Sequence, residues 1–344
     1  MGTGTHHTHY ICCGYVQTES SKLPNHFCGV SGNTRAEHRP SMSGDIWRAG
    51  GDHTGSYIAG DCERRLGTSN STGSQRGLSA LATNLSLQPV APMLWINNAA
   101  APVTITDITF DASNVGSLSA ILAGIFVQSS SATISRVGIR NLKVVQPFAD
   151  MGIYVEGAAS NPAVTVQNSS IHDIRTFGIY GETLSGGAGS VSMTLKGNYV
   201  SGTNEGILLD SGSAGTVSGN TVSGGNIGIS ANSGAAVSIS GNTVVASGYG
   251  VAASDGSTVN GNKIFGTLTA GILIVGQTVA VQTNAITGGP VGIDFECGND
   301  PNVNSNTINE VTTGLDNVPG GAFGTNTYFN VGTLRSAGVC AAPR

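Results

Sequence analysis

Charge is scarce in this sequence: only 10% of its 344 residues are Asp, Glu, Lys or Arg, and only 6% are aromatic. The net charge of −5 is weak and scattered. There is thus no basic footprint for a phosphate backbone, and nucleic acid is excluded as the expected partner. No apolar run approaches the roughly 18 residues that a membrane-spanning helix requires, so no span is expected. The sequence begins MGTGTHHTHYICCGY, with no apolar stretch behind it of the kind a signal peptide carries. Gly is abundant, with 51 residues, and it is accompanied by much Ser, Thr and Asn. Such a composition often marks disorder. Here, however, Val and Ile recur at fixed intervals, and a disordered tract has no need of register.

Cysteine and histidine are absent from most of the chain. Cys12, Cys13, Cys28 and Cys62 lie in the first 88 residues, as do six of the seven histidines. Beyond that point only Cys297, Cys340 and His172 remain. This break sets a boundary near residues 85 to 92. Residues 1–88 show neither helical nor strand periodicity and read as an irregular, poorly structured extension. His6, His7, His9, Cys12, Cys13 and Cys28 are competent zinc or copper ligands, but their spacing fits no CxxC or HxxxH pattern. One helix-like piece, GLSALATNLSL (77–87), is expected to cover the open end of the domain that begins near residue 90.

From about residue 90 the chain stacks on itself. Gly followed by an aliphatic residue recurs at Gly124, Gly152, Gly178, Gly206, Gly228, Gly250, Gly271, Gly292 and Gly314, in steps of 28, 26, 28, 22, 22, 21, 21 and 22. Asn198, Asn220, Asn242, Asn262, Asn284 and Asn306 form a second register, each followed two residues later by Val or Ile. An aliphatic residue three before each Asn makes a third: Leu195, Val217, Ile239, Val259, Val281 and Val303. Three aliphatic columns per repeat imply three short strands per turn of a coil, each paired with its equivalent one turn on. Helical repeats would need apolar residues at three-to-four spacing, which is missing. The Asn column reads as an internal amide ladder at a turn, since Asn tolerates left-handed backbone and stacked amides bond along a column.

These registers are the signature of an all-β, single-stranded right-handed parallel β-helix. Residues 92–317 resemble the right-handed parallel β-helix repeat family, the pectate-lyase-like superfold. The expected architecture is a solenoid of about nine to ten turns and three sheets over 89–317, with a capping segment over 318–344. In that cap Phe323, Tyr328 and Phe329 shield the last turn. Cys297 and Cys340 could be linked there, as suits an exported protein. The resemblance implies an extracellular or cell-surface location. Its members include pectate lyases, polygalacturonases, alginate epimerases and lyases, tailspikes and adhesins, so the fold does not choose a function. The polygalacturonase strings NTD, GHG and RIK are absent. So is the Asp-Pro-His signature of alginate epimerases: DFECGNDP (294–301) continues with Asn302.

Function in a β-helix sits on outer columns, where equivalent residues lie about 4.8 Å apart. With the Gly of each Gly-aliphatic pair as position zero, position +1 faces in and +2 and +4 face out. Position +2 brings Phe126, Tyr154 and Tyr180 into one column; position +4 brings Glu156, Glu182 and Asp210 into the next. Stacked carboxylates need a cation, a basic partner or a raised pKa. Glu156, Glu182 and Asp210 are therefore candidate Ca²⁺ ligands and candidate acid/base groups, and the rings are candidate sugar platforms. Aligning Ile139 with Ile171 places Lys143 under Arg175 and Asn141 under Asp173, with His172 nearby, as a basic side of the same groove. Arg175 or Tyr180 would act as base or relay. A second acidic group, Asp294, Glu296, Asp300 and Asp316, lacks rings and reads as solvated. The expected function is a polysaccharide-binding, and cleaving or epimerising, protein of lyase, epimerase or hydrolase type acting on an acidic polymer. The alternative is a non-catalytic structural or adhesive β-helix, which the plain Ser, Ala and Asn of the later outer positions favour.

Overall fold

The computed structural model describes residues 16–17, 82–84, 86–113, 115, 120–143, 148–157, 161–183, 190–245, 247–276, 278–295, 302–318 and 324–337. The expected ligands His6, His7, His9, Cys12, Cys13 and Cys28, the cysteines 297 and 340, Glu296, Asp300 and Phe323 lie outside them.

The described elements are strands, and they wind into three parallel ladders. The first carries the Gly-aliphatic pairs and runs through Pro89–Asn97, Ile121–Gln128, Asp150–Gly157, Phe177–Thr183 and Glu205–Asp210, and Val16–Gln17, from the stretch expected to be irregular, pairs in parallel with Ile96–Asn97 ahead of it. It continues to the C-terminal halves of Ala285–Phe295 and Thr307–Asp316. The second runs from Val103–Thr106 to Asn302–Asn304, the third from Thr109–Asp111 to Thr327–Phe329. Inside, Ile125, Ile153, Ile179, Ile207, Ile229, Val251, Ile272, Ile293 and Leu315 form one buried column, and the aliphatic registers of the other two ladders face it. Each such side chain contributes about 1.5–3 kcal/mol by leaving water. The repeating column, rather than any single contact, holds the coil together.

Two backbone requirements explain the repeated Gly. At position zero the next turn comes too close for a side chain: a Cβ on Gly178 would lie 2.5 Å from both the Gly206 carbonyl oxygen and a Val200 methyl. The second requirement revises the expectation for the Asn column. The Asn residues do not take the left-handed conformation; the residue before each one does, as at Gly197, Gly219, Gly241 and Gly261 (φ 62 to 65°), Thr283 and Ser305. A left-handed residue turns the chain and aims the following Asn inward.

Asn198, Asn220, Asn242, Asn262, Asn284 and Asn306 are buried. In each link, Nδ2 donates to the Oδ1 of the next Asn and to a backbone carbonyl, while the next Oδ1 also accepts the backbone N–H. Asn326 extends the column by one more turn.

Both ends differ from the sequence expectation. Parallel pairing does not stop at Leu315: Thr327–Phe329 pairs with Thr307–Asn309, and Thr333–Arg335 with Thr313–Leu315. Tyr328 stands below Ile308 and packs against the core, so a wide ring closes the last aliphatic column. Phe329 is exposed and shields nothing. At the other end, Ala82–Thr83 is a strand antiparallel to Pro89–Val90, not part of a helix. Asn84 closes the turn, its Oδ1 accepting from the Gln88 backbone N–H at 2.8 Å. The open first rung offers unpaired backbone groups that a strand satisfies and a helix does not. The expected cover is there, in extended form.

Candidate functional site

The aromatic column is longer than the sequence suggested. Register places Trp95 above Phe126, Tyr154 and Tyr180 on the outer face of the first ladder. The rings stack with centroids 6.3, 4.7 and 5.5 Å apart and planes within 12° of parallel. Phe177 flanks Tyr180 at 5.0 Å. Trp95 escaped the sequence reading because its turn has Met93-Leu94 in place of Gly-aliphatic.

The column is not the open platform expected. Phe126 and Tyr154 are fully buried, in a second apolar cluster outside the bore with Ala82, Val90, Trp95, Ile121, Ala123 and Met151. The physical reason is that this outer face carries apolar residues between its rings, and they exclude water together with them. Only Tyr180 and Phe177 at the lower margin keep partial exposure.

The carboxylate column forms in the predicted register: Gln128 pairs with Glu156, Glu156 with Glu182, and Glu182 with Asp210. Glu156 is 0% exposed. Its two oxygens meet Gln128 Nε2 and the Tyr154 hydroxyl, each at 3.1 Å. Gln128 also donates to the Thr83 carbonyl at 3.0 Å, and Asn84 Nδ2 to the Tyr154 oxygen at 3.4 Å. Glu182 accepts hydrogen bonds from Tyr154 and from Tyr180, the latter at 2.7 Å. Burial first, then the carboxylates around them, hold both phenols protonated far above their usual range. Tyr180 thus stands as a protonated phenol beside Glu182. Glu182 and Asp210 are partly exposed.

Two phenols engage two of the carboxylates that suggested calcium. Glu156 is sealed and Glu182 is engaged by two hydroxyls. Among the described residues, no three His, Cys, Asp or Glu side chains gather as a metal cluster.

The basic side of the groove also resolves differently. Ile171 pairs with Ile139 as expected, and Asn141 and Asp173 occupy equivalent left-handed corners. Lys143, however, binds Asp173 at 2.6 Å, and the His172 Nδ1 lies 2.8 Å from the same carboxylate. These partners, Lys143 first, hold Asp173 below the usual carboxylate range. Arg175 Nε binds the buried Asp150 at 2.8 Å, and the same guanidinium donates to the Phe148 carbonyl. A positive charge stacked over another would repel; an acid nearby neutralises each instead. Arg175, Lys143 and His172 therefore form no uncompensated basic surface.

Sequence reasoning missed Glu205. It pairs with Phe177 on one side and Ile227 on the other. Its column, from Pro92 through Ala123, Met151 and Phe177 to Tyr249, Ala270 and Val291, holds no other charge. Its Oε2 is buried without a hydrogen-bond partner. Burial, then the charge of Asp210, push its pKa up. Reading position −1 down the repeat would have found it as the one charged residue there. Of the second acidic group, Asp294 pairs with Asp316 one turn on and accepts from Asn317 Nδ2 at 2.8 Å. Half-buried, it is raised in pKa by that burial and is not simply solvated.

The right handed beta helix region model matches residues 93–251 and 184–331. The chain belongs to the right-handed β-helix family. Solved structures of low sequence similarity match it in part. The Azotobacter vinelandii mannuronan C-5 epimerase AlgE6 A-module is 16% identical, with 74% of this chain and 78% of that one covered at a TM-score of 0.40. The periplasmic alginate epimerase AlgG is 11% identical, with 72% and 86% covered at 0.36. No curated protein matches the sequence.

Proposed function

We propose that this β-helix protein binds an acidic polysaccharide on the outer face of its first ladder, at the turns carrying Phe177, Tyr180, Glu182, Glu205 and Asp210. One observation carries the reading: here the ring and carboxylate columns pass from beneath their cover into partial exposure side by side. A half-exposed ring offers the flat apolar surface on which a sugar face stacks. Beside it, a carboxyl raised by burial and carboxylates left in polar surroundings form the pairing that divides acid from base roles. Cleavage or epimerisation of the bound sugar would use Glu205 as acid and Glu182 or Asp210 as base, the Tyr180 hydroxyl taking the sugar's proton as it gives its own to Glu182. A polymer ligand goes with export to the cell exterior.

A structural or adhesive role is the second reading, and one observation favours it. Gln128, Tyr154 and Tyr180 aim donors at Glu156 and Glu182 within one network, as in a purely stabilising arrangement.

Affinity electrophoresis against polyuronates and neutral glucans, with and without Ca²⁺, tests binding; ultraviolet absorbance of unsaturated products and NMR of residual polymer test turnover. Binding that falls about tenfold in Tyr180→Ala, the scale of one lost aromatic contact, supports the site. Retention of every polymer by that variant at wild-type strength would refute it.

A further inference from the structure

An acidic face is an awkward host for an acidic polymer. Resting on the polysaccharide reading above, we infer that Glu205 admits uronate sugars to this face: as a neutral carboxylic acid it donates a hydrogen bond to a uronate carboxylate, and as an anion it turns that carboxylate away.

The surroundings of Glu205 favour the neutral form. One oxygen, Oε2, is sealed from water and has no donor. A carboxylate with a bare buried oxygen loses solvation that nothing in the protein replaces, whereas the acid form loses much less. The rest of the side chain keeps partial exposure beside the half-exposed Phe177. On its own strand the titratable neighbour is Asp210, whose charge further opposes ionisation. The preceding strand brings Phe177, Tyr180 and Glu182, the last holding two phenol protons. The following strand, Ile227–Ala231, brings no ionisable side chain. Arg175, at the corner before Phe177, is held by Asp150. Among the described residues, no cation thus stands by to hold Glu205 ionised.

Proton-linked binding has a fixed sign. If the complex holds one proton that the free anion lacks, affinity for the uronate rises as pH falls, by at most about tenfold per pH unit. The rise levels off once free Glu205 is itself protonated. A hydrogen bond from an acid to a carboxylate is charge-assisted and stronger than a neutral one. A neutral sugar has no such carboxylate and no such slope.

Calorimetric titration with a uronate oligosaccharide and a neutral oligosaccharide of equal length, from about pH 8 to about pH 5, tests the assignment. Wild type is expected to gain about tenfold or more in uronate affinity across that range and to bind the neutral sugar evenly. Glu205→Gln, which keeps the shape and a donor, is expected to bind the uronate at every pH about as tightly as wild type does at the acid end. Its melting profile establishes that it is folded. A slope that survives in Glu205→Gln, or a flat wild-type profile, overturns the role of Glu205 and leaves polysaccharide binding intact. Failure of wild type to bind either sugar at any pH overturns the polysaccharide reading, and this inference with it.

Discussion

Replacing Asn242 by Ala removes the middle of the amide column. Its Nδ2 donates to the Val217 carbonyl and to Asn262 Oδ1, both at 2.9 Å. Its Oδ1 accepts from the Asn220 backbone N–H and from Asn220 Nδ2, also at 2.9 Å. Four hydrogen bonds vanish in a place that no water reaches, as Asn242 is fully buried. At roughly 1 kcal/mol each, and more where a buried group is left bare, the loss is about 4 kcal/mol. Urea unfolding followed by circular dichroism reads the shift in midpoint. Asn326→Ala is the internal control. It sits at the last turn, is partly exposed, and donates only through contacts of 3.3 and 3.4 Å, so about half the loss is expected. Equal shifts in the two variants, or a loss below about 1 kcal/mol for Asn242→Ala, would show that turn pairing alone holds the coil and that the amides are incidental.

Three other outcomes rest on the same geometry. Gly219→Ala places a side chain at φ 62° with open space around it, so the expected cost is the left-handed backbone alone, about 1–2 kcal/mol by thermal melting. Arg175→Ala takes the guanidinium away from Asp150, a sealed carboxylate, which should cost about 3–5 kcal/mol; Arg136→Ala, breaking the exposed pair with Asp107, should leave the melting temperature unchanged. For Glu205, the folded protein binds the proton more tightly than the unfolded chain does. Its contribution is therefore fully present below the ordinary carboxylate value and lost as pH rises through the raised one. Glu205→Gln should accordingly melt higher than wild type at neutral pH and equal it in acid; a lower neutral melting point would count against the buried-acid assignment.

The fold was legible because the core repeats. Val200, Val222 and Val244 stand under one another for the same reason that they recur in sequence, and the strand pairings reproduce that register residue for residue. The ring and carboxylate columns were legible too, since side chains alternate along a strand and position is inherited from turn to turn. Their burial was not. The segment around Ala82–Asn84 that touches them lies outside the repeat, where periodicity gives no coordinates. Glu205 was missed for a related reason: it stands one residue before the Gly, at a position outside the two columns taken as the outer face. The left-handed residue before each Asn was hidden because Gly, Thr and Ser all fill it.

The corner that holds the amide column has one length throughout. Two residues separate Gln167 from Ser170, Lys196 from Tyr199, Ser218 from Thr221 and Asn304 from Thr307. The corner leaving the first ladder is not so constrained: it is short from Asp210 to Ala214 and long from Thr183 to Ser192. The fixed corner thus works as a ruler, also where Ser169 stands in the place of the Asn, letting the chain lose or gain residues at the other corner without losing its place in the next turn. Glu156, Glu182 and Asp210 stand at the mouth of the adjustable corner. Insertions there can reshape what lies over the carboxylates while the rest of the coil keeps count.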